Sequence, residues 1–85
     1  MFFVYILKSL KDQKYYIGYT KDLQRRIADH NRGKSPSVRQ RAPFILVHKE
    51  DYLTRTESIQ RENKIKSYKG GVAFKELISK QEADQ

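Results

Sequence analysis

The amino-acid sequence predicts a small α+β domain with the element order β-β-α-β-α-α, in which helices pack on a sheet of about three strands. Three observations lead to this prediction. Three short segments are rich in the β-branched and aromatic residues typical of strands. Amphipathic stretches with helix-capping signals follow the second and the third of these segments. Polar turn residues separate the elements, so strands and helices can share one core.

The three predicted strands should differ in how much of their surface they bury. Residues 2–7 form an unbroken apolar run, typical of a strand covered on both faces, and we expect them in the centre of the sheet. Residues 15–19 follow a polar turn and should pair with the first strand as a hairpin. Gly18 within this segment indicates a bulge or the close approach of another backbone. Residues 44–48 supply the third strand.

The first helix is predicted over residues 21–31, with Thr20 as its N-cap and Gly33 as its C-terminal stop. At about 100° per residue, one face of this helix collects Leu23, Ile27 and His30. Arg26 lies on the flank of that face. The structural alternatives are a half-buried histidine with a backbone partner and a solvated arginine.

Two further helices are predicted in the C-terminal half of the chain. The first covers residues 55–68, because Thr54 and Glu57 have the spacing of a capping box, in which Thr54 can cap the Glu57 amide and Glu57 can reach back to Thr54. Gly70-Gly71 ends this helix. Residues 72–80 carry apolar side chains at helical spacing and form the last helix.

Glu62 is an anomaly within the helix predicted over residues 55–68. Ile59 and Ile65 define the apolar face of this helix, and Glu62 lies midway between them, about 60° from each. A carboxylate on a face that packs against the core is costly unless it is paired or binds a cation. The structural alternative is an ion pair with a nearby Arg or Lys.

Length and composition narrow the function classes. The chain has 85 residues, which we assign to a single domain over residues 1–80 and a polar tail over residues 81–85. Cysteine is absent, which excludes disulfides and thiolate metal sites, and two histidines cannot by themselves build a zinc site. The longest apolar run, residues 1–7, is far shorter than the roughly 20 residues of a membrane span. We expect a cytoplasmic protein that does not enter a membrane.

The net charge of +8 predicts a polyanionic partner. Nucleic acid is the first choice, an anionic membrane surface is the second, and a soluble domain that is merely basic is the alternative. Residues 32–43 contain Gly and Pro without apolar periodicity and should form a basic loop. The candidates for binding a nucleic-acid backbone are Arg25 on the first helix and four cations of this loop, Arg32, Lys34, Arg39 and Arg41.

These residue types could together hydrolyse a phosphodiester. A carboxylate such as Glu62 could bind a divalent metal, and an arginine such as Arg26 could stabilise the charge that develops on the phosphate. The paired strands carry four tyrosines, Tyr5, Tyr15, Tyr16 and Tyr19. A tyrosine could hold or pass a proton if a cation lowers its pKa, although packing is the usual role of a strand tyrosine. The sequence has no Walker-type phosphate loop and no carboxylate cluster for two metals.

Several separated motifs resemble the GIY-YIG nuclease family. They are Phe3-Val4-Tyr5, Tyr16-Ile17-Gly18 with its continuation to residue 27, His30-Asn31, and the glutamate segment over residues 61–66. Phe3-Val4 stands where the family name has Gly-Ile. The resemblance spans residues 2–78 and is strongest to small stand-alone bacterial members, described as excinuclease-like or uncharacterised.

The resemblance implies a three-stranded antiparallel sheet flanked by helices, and cleavage of DNA with one divalent ion, Mg²⁺ or Mn²⁺. Tyr5 and Tyr16 would orient or deprotonate the attacking water. Arg26 would contact the scissile phosphate, and Glu62 would bind the metal. His30 matches a helix histidine whose role varies within the family.

Three hypotheses follow. The first is a metal-dependent endonuclease acting on DNA, with branched or damaged DNA as candidate substrates and a protein partner as a candidate source of specificity. The second is a module that binds nucleic acid without cutting it. The third is a scaffold that docks on a larger assembly. Convergence of Tyr5, Tyr16, Arg26 and Glu62 on one cleft would favour the first, and a Glu62–lysine pair away from the tyrosines would favour the second.

Overall fold

The computed structural model describes residues 1–32 and 42–83, and it has the predicted α+β architecture. Six elements follow one another in the predicted order: β1 Phe2–Ser9, β2 Tyr15–Thr20, α1 Leu23–Asn31, β3 Phe44–Tyr52, α2 Arg55–Ser67 and α3 Val72–Ala83. Among the described residues, no helix combines the length and the apolar character needed to cross a membrane.

The sheet is antiparallel with the strand order β2-β1-β3, so β1 is central as predicted. Between Ile6 and Leu7 the register with β3 shifts, because Ile6 faces His48 whereas Leu7 faces Leu46. The prediction that the third strand ends at residue 48 is wrong. The strand continues to Tyr52 because its polar residues still pair with the first half of β1.

Helices cover both faces of the sheet. Successive residues of a strand point to opposite faces, so alternate residues of β1 belong to different cores. Val4 and Ile6 join the larger core with α2 and α3, which contribute Ile65, Phe74 and Ile78. On the other face is a smaller core of Tyr5, Leu7 and Phe44, against which Leu23 and Ile27 of α1 pack. The central strand is therefore buried on both sides, and Tyr5 lies on the α1 side.

The start of α1 differs from the prediction. Its N-cap is Asp22, whose carboxylate accepts a hydrogen bond of 3.2 Å from the backbone N–H of Arg25. Thr20 is not the cap because it is still paired with Phe3 in the sheet. Its hydroxyl instead accepts a hydrogen bond from the N–H of Asp22. The predicted stop at Gly33 lies outside the described residues.

The start of α2 follows the predicted capping box. The Thr54 hydroxyl oxygen accepts a hydrogen bond of 3.2 Å from the N–H of Glu57. The Glu57 carboxylate reaches back to Thr54 and accepts a hydrogen bond of 2.9 Å from its hydroxyl. At the far end, Gly70 adopts a left-handed conformation (φ +73°) in the predicted break before α3.

Candidate active site

Tyr5 extends across Gly18, its partner on the neighbouring strand. A Cβ atom at Gly18 would lie 2.5 Å from the Tyr5 hydroxyl oxygen and 2.7 Å from the ring carbon that bears it. The sequence predicted a bulge or a close backbone approach at this glycine. The close neighbour is instead a side chain, and the register shift lies between β1 and β3. Gly18 therefore provides the space that Tyr5 occupies.

Two charged side chains from different helices act on Tyr5. Burial is the largest influence on the pKa of its hydroxyl and raises it, since only 5% of the residue is exposed. Arg26 of α1 lowers this pKa, and Glu62 of α2 raises it. The net result is a pKa above the usual value of tyrosine, so the phenol keeps its proton at neutral pH. Arg26 of α1 and Glu62 of α2 thus both lie within electrostatic reach of Tyr5 on β1.

His30 supports this cluster from α1. Its ring is edge-on to Tyr5, with 6.3 Å between the ring centroids, and edge-on to Phe44 at 5.6 Å. Its Nδ1 lies 2.9 Å from the backbone carbonyl oxygen of Arg26. Because a carbonyl can only accept, Nδ1 carries the proton in this contact. His30 is half-buried with a backbone partner, which is the structural alternative that the sequence left open.

Tyr16 lies on the same side of the sheet as Tyr5. It faces Leu7 across the β1–β2 pair, two residues before Gly18, and is half-buried. Its ring is edge-on to Phe44, with 5.2 Å between the centroids. Both motif tyrosines therefore pack into the smaller core beneath α1.

Glu62 is a largely buried carboxylate with a flexible counter-ion. Only 12% of its side chain is exposed, and its Oε1 lies 2.6 Å from the Nζ of Lys66, one turn along α2. The Lys66 side chain is 51% exposed. On the same helix, Ile65 is fully buried and Ile59 is half-buried, so Glu62 does lie on the side that packs against the core. The ion-pair alternative is present, but the pair lies within electrostatic reach of Tyr5 rather than away from it.

Comparison with known proteins supplies the family. A sequence model described as the GIY-YIG catalytic domain matches residues 1–72. The chain belongs to the GIY-YIG family. This is a family of nucleases, and the resemblance of the sequence motifs to it is confirmed.

Several GIY-YIG relatives are similar to this chain over most of their length. UPF0213 proteins of Haloquadratum walsbyi and Staphylococcus epidermidis are each 43% identical to it over 67 residues. These matches cover 78% of this chain and 74% and 80% of the two relatives. The solution NMR structure of a UPF0213 protein from Bacillus halodurans is 36% identical, with a TM-score of 0.58 over 93% of this chain and 84% of that one. The names of these relatives specify no activity.

The donor set beside Tyr5 fits a single hard cation. The described residues contain no group of three or more His, Asp or Glu side chains that could enclose a metal. Glu62 offers one carboxylate, and Mg²⁺ commonly uses one or two carboxylates while keeping waters and substrate phosphate oxygens as its other ligands. GIY-YIG nucleases generally use a divalent metal, and Glu62 has the ligand type that such an ion prefers.

The predicted backbone-binding cations are only partly described. Arg25 is exposed on α1, with its Nε 3.9 Å from a carboxylate oxygen of Asp29. Arg32 is exposed and forms the C-cap of the same helix. The other three loop cations, Lys34, Arg39 and Arg41, lie outside the described residues.

A second charged cluster was missed by the sequence reasoning. Glu50 on β3 receives two hydrogen bonds from Arg61 of α2, at 2.7 and 3.0 Å. It also receives the Tyr52 hydroxyl at 2.5 Å, and Nε2 of His48 lies 2.7 Å away. We call His48, Glu50, Tyr52 and Arg61 the Glu50 network. Residues 48, 50 and 52 are polar and lie on one face of a continued strand, which could have indicated this network. The strand was, however, predicted to end at residue 48.

Electrostatics in the Glu50 network favour the ionised carboxylate. Burial alone would raise the pKa of Glu50, but the hydrogen bonds from Arg61, Tyr52 and His48 outweigh it and hold this pKa at about 2. Burial and the bond to Glu50 raise the pKa of Tyr52 to about 12. Glu50 and Arg61 therefore keep their charges at neutral pH, and their hydrogen bonds tie α2 to β3.

Proposed function

We propose that this GIY-YIG protein is a divalent-metal-dependent endonuclease that hydrolyses phosphodiester bonds of DNA. The observation that carries the proposal is that Arg26 of α1 and Glu62 of α2 both lie within electrostatic reach of Tyr5 on β1. Membership of a nuclease family and the net charge of +8 support it.

Glu62 and Arg26 divide the charge stabilisation between them. Glu62 would hold Mg²⁺ or Mn²⁺, which when bound polarises a phosphate oxygen and neutralises part of its charge. Arg26 is exposed at the surface beside Tyr5, where it can donate hydrogen bonds to the phosphate undergoing attack. As a water oxygen forms its bond to phosphorus and one ester oxygen leaves, Arg26 stabilises the negative charge on the remaining phosphate oxygens.

The two tyrosines would handle the attacking water. Because burial raises the pKa of Tyr5, its neutral hydroxyl is suited to orienting the water by a hydrogen bond. Tyr16 is half-buried on the same side of the sheet and is the second candidate for this role. We propose His30 as a support for Tyr5 through its ring contact and its bond to the Arg26 carbonyl.

One observation favours a second function, a module that binds nucleic acid without cutting it. Glu62 already has a cation, Lys66, at 2.6 Å. If Lys66 stayed in place on the DNA complex, no carboxylate would remain for a metal. Only the lysine of this pair is half-exposed, so its ammonium can move into solvent when a divalent ion takes its place beside Glu62.

The test is nicking of supercoiled plasmid and of a branched DNA with Mg²⁺ or Mn²⁺, and with EDTA as the metal-free control. Glu62→Gln is compared with Glu57→Gln, which makes the same chemical change on an exposed carboxylate of the same helix. We expect cleavage by the native protein and by Glu57→Gln, and none by a folded Glu62→Gln. Salt-sensitive binding without cleavage by native protein would contradict the proposal and favour the binding module. Faster cleavage of the branched DNA would identify it as the preferred substrate.

A further inference from the structure

A groove lies beside Arg26, outside the cluster formed by Tyr5 and Glu62. It is bounded by the end of β2, the start of α1 and the start of α2, and its volume is about 760 Å³. This volume lies in the upper part of the range for ligand clefts, so the groove has room for an extended ligand rather than a single ion. Arg26 lines the groove and also acts on Tyr5, which makes the groove continuous with the candidate active site.

The groove is positively charged. Four cationic side chains line it, and two carboxylates, so its formal charge is 4 − 2 = +2. The cations are Lys21, Arg25, Arg26 and Arg55. Asp22 caps α1, and Asp29 lies 3.9 Å from Arg25 and offsets part of its charge, so Lys21, Arg26 and Arg55 are the remaining cations of the groove.

Aromatic rings hold two of these cations in place. The Arg55 guanidinium lies over the Tyr19 ring, 5.9 Å from its centroid, and donates hydrogen bonds of 3.2 and 3.4 Å to the Tyr19 hydroxyl. The Lys21 ammonium lies 5.9 Å from the centroid of the Phe2 ring. An aromatic partner orders a cation and, unlike a carboxylate, does not cancel its charge. Both side chains are thus positioned to receive an anion.

We propose that this groove binds the DNA backbone beside the cleaved bond, with Arg55 and Lys21 contacting phosphates other than the one that Arg26 holds. The inference rests on the proposed nuclease function, because it takes Arg26 as the contact to the reacting phosphate. A phosphodiester chain fits the groove because it presents a series of negative charges, and a series of cations lines the walls. The groove would set the direction in which DNA leaves the site.

A second basic groove, at the opposite end of the β1–β2 pair, provides a matched control. It is lined by Lys8, Tyr15, Phe74 and Lys75 among others, and the Lys8 ammonium lies 5.8 Å from the centroid of the Tyr15 ring. Lys8 and Lys21 are therefore both lysines held over an aromatic ring. Only the groove of Lys21 includes Arg26 among its lining residues.

The experiment measures binding of a short fluorescein-labelled DNA duplex at several NaCl concentrations, in EDTA so that no cleavage occurs. Each lost phosphate contact should reduce the slope of log K against log salt by about 0.9. We expect this reduction for Lys21→Gln and for Arg55→Gln, roughly twice as much for the double variant, and no change for Lys8→Gln. Circular dichroism verifies that each variant is folded.

The outcomes separate this inference from the proposed function. An equal effect of Lys8→Gln and Lys21→Gln would overturn the inference, because binding would then follow total charge. Unchanged slopes in both groove variants would also overturn it, even if Glu62-dependent nicking were observed. Reduced slopes in a protein that never cuts DNA would support the groove as a binding site and contradict the nuclease.

Discussion

Glu50 on β3 and Glu62 on α2 both have little exposed side chain, 19% and 12%, but their surroundings differ sharply. Glu50 is held by Arg61 through two hydrogen bonds and by Tyr52 and His48. Glu62 is paired with Lys66, a half-exposed lysine on its own helix. A carboxylate that accepts four hydrogen bonds has no free position for a ligand, whereas one with a single half-exposed counter-ion can exchange it for a metal. On the proposed function, Glu62 is therefore the carboxylate that binds the metal.

The contact that Glu50 makes with α2 also constrains the position of Glu62. Arg61 and Glu62 are consecutive on α2 and therefore project about 100° apart. The bond from Arg61 to Glu50 fixes the rotation of α2 against β3, and Glu62 is then directed to the side where it acts on Tyr5. The Glu50 network thus positions Glu62.

The largest expected effect comes from comparing Tyr5, which lies near Glu62, with Tyr52 of the Glu50 network. Tyr5→Phe should lower the nicking rate by about 10²–10⁴-fold, because it removes a group that orients the attacking water. Tyr52→Phe should leave the rate of the folded protein unchanged but lower the free energy of unfolding by about 2 kcal/mol, because it removes a hydrogen bond to a charged carboxylate. Plasmid nicking and urea unfolding measure the two effects. The reverse pattern would mean that the two regions have been assigned the wrong roles.

Acid should weaken the Glu50 network. The folded-state pKa of Glu50 is lowered from 4.5 to about 2, so its stabilisation is fully present above pH 4.5 and is lost as the pH falls through about 2. A shift of this size corresponds to about 3 kcal/mol. Urea unfolding between pH 7 and pH 2 should show this loss in the native protein and in Glu57→Gln. Glu50→Gln should be less stable at pH 7 and should lack most of the acid dependence, and an unchanged profile in this variant would exclude the network as its cause.

Gly18→Ala tests the packing of Tyr5 against Gly18. The new Cβ would lie 2.5 Å from the Tyr5 hydroxyl and must displace the ring, at a cost of about 1–3 kcal/mol in the free energy of unfolding. The nicking rate should fall as well, because Tyr5 moves. Thermal unfolding of Gly18→Ala is compared in the native background and in Tyr5→Ala. The cost should shrink when the tyrosine ring is absent, and an equal cost in both backgrounds would rule out the clash as its origin.

Lys66→Gln should have the smallest effect. Without its lysine, the Glu62 carboxylate should take up a divalent ion more readily, and the Mg²⁺ concentration for half-maximal nicking should fall about two- to five-fold. Lys64→Gln removes an exposed charge from the same helix and serves as the control. A rise in the required Mg²⁺ concentration would indicate that Lys66 assists the reaction instead of competing with the metal.

Local signals in the sequence predicted most of the fold. The apolar run at residues 2–7 identified the central strand, and Thr54 with Glu57 identified the start of α2. The predictions failed where distant pairing overrides local preference. Thr20 was assigned to a cap although its pairing with Phe3 keeps it in β2, and β3 was ended early because its polar second half is stabilised by β1 and by Arg61.

In the candidate site, too, local features could be predicted from the sequence, whereas contacts between distant segments could not. Helical periodicity alone placed Glu62 on the side of α2 that packs against the core, and the position of Lys66 one turn later makes their ion pair readable from the sequence. The Glu50 network joins Glu50 of β3 to Arg61 of α2, eleven residues later in the chain. No local rule specifies which arginine binds which carboxylate. The aromatic partners of Lys21 and Arg55 likewise depend on how the strands and helices meet in space.

The most direct test of the central claim is to add trace Mn²⁺ to ¹⁵N-labelled protein and record which backbone amide signals broaden. A bound paramagnetic ion broadens signals near it, even when binding is weak. We predict the strongest broadening at Glu62 and around Tyr5 and Gly18, weaker broadening at Glu50, and its loss in Glu62→Gln but not in Glu57→Gln. Broadening centred on Glu50, or unchanged in Glu62→Gln, would contradict the assignment of Glu62 as the carboxylate that accepts the metal.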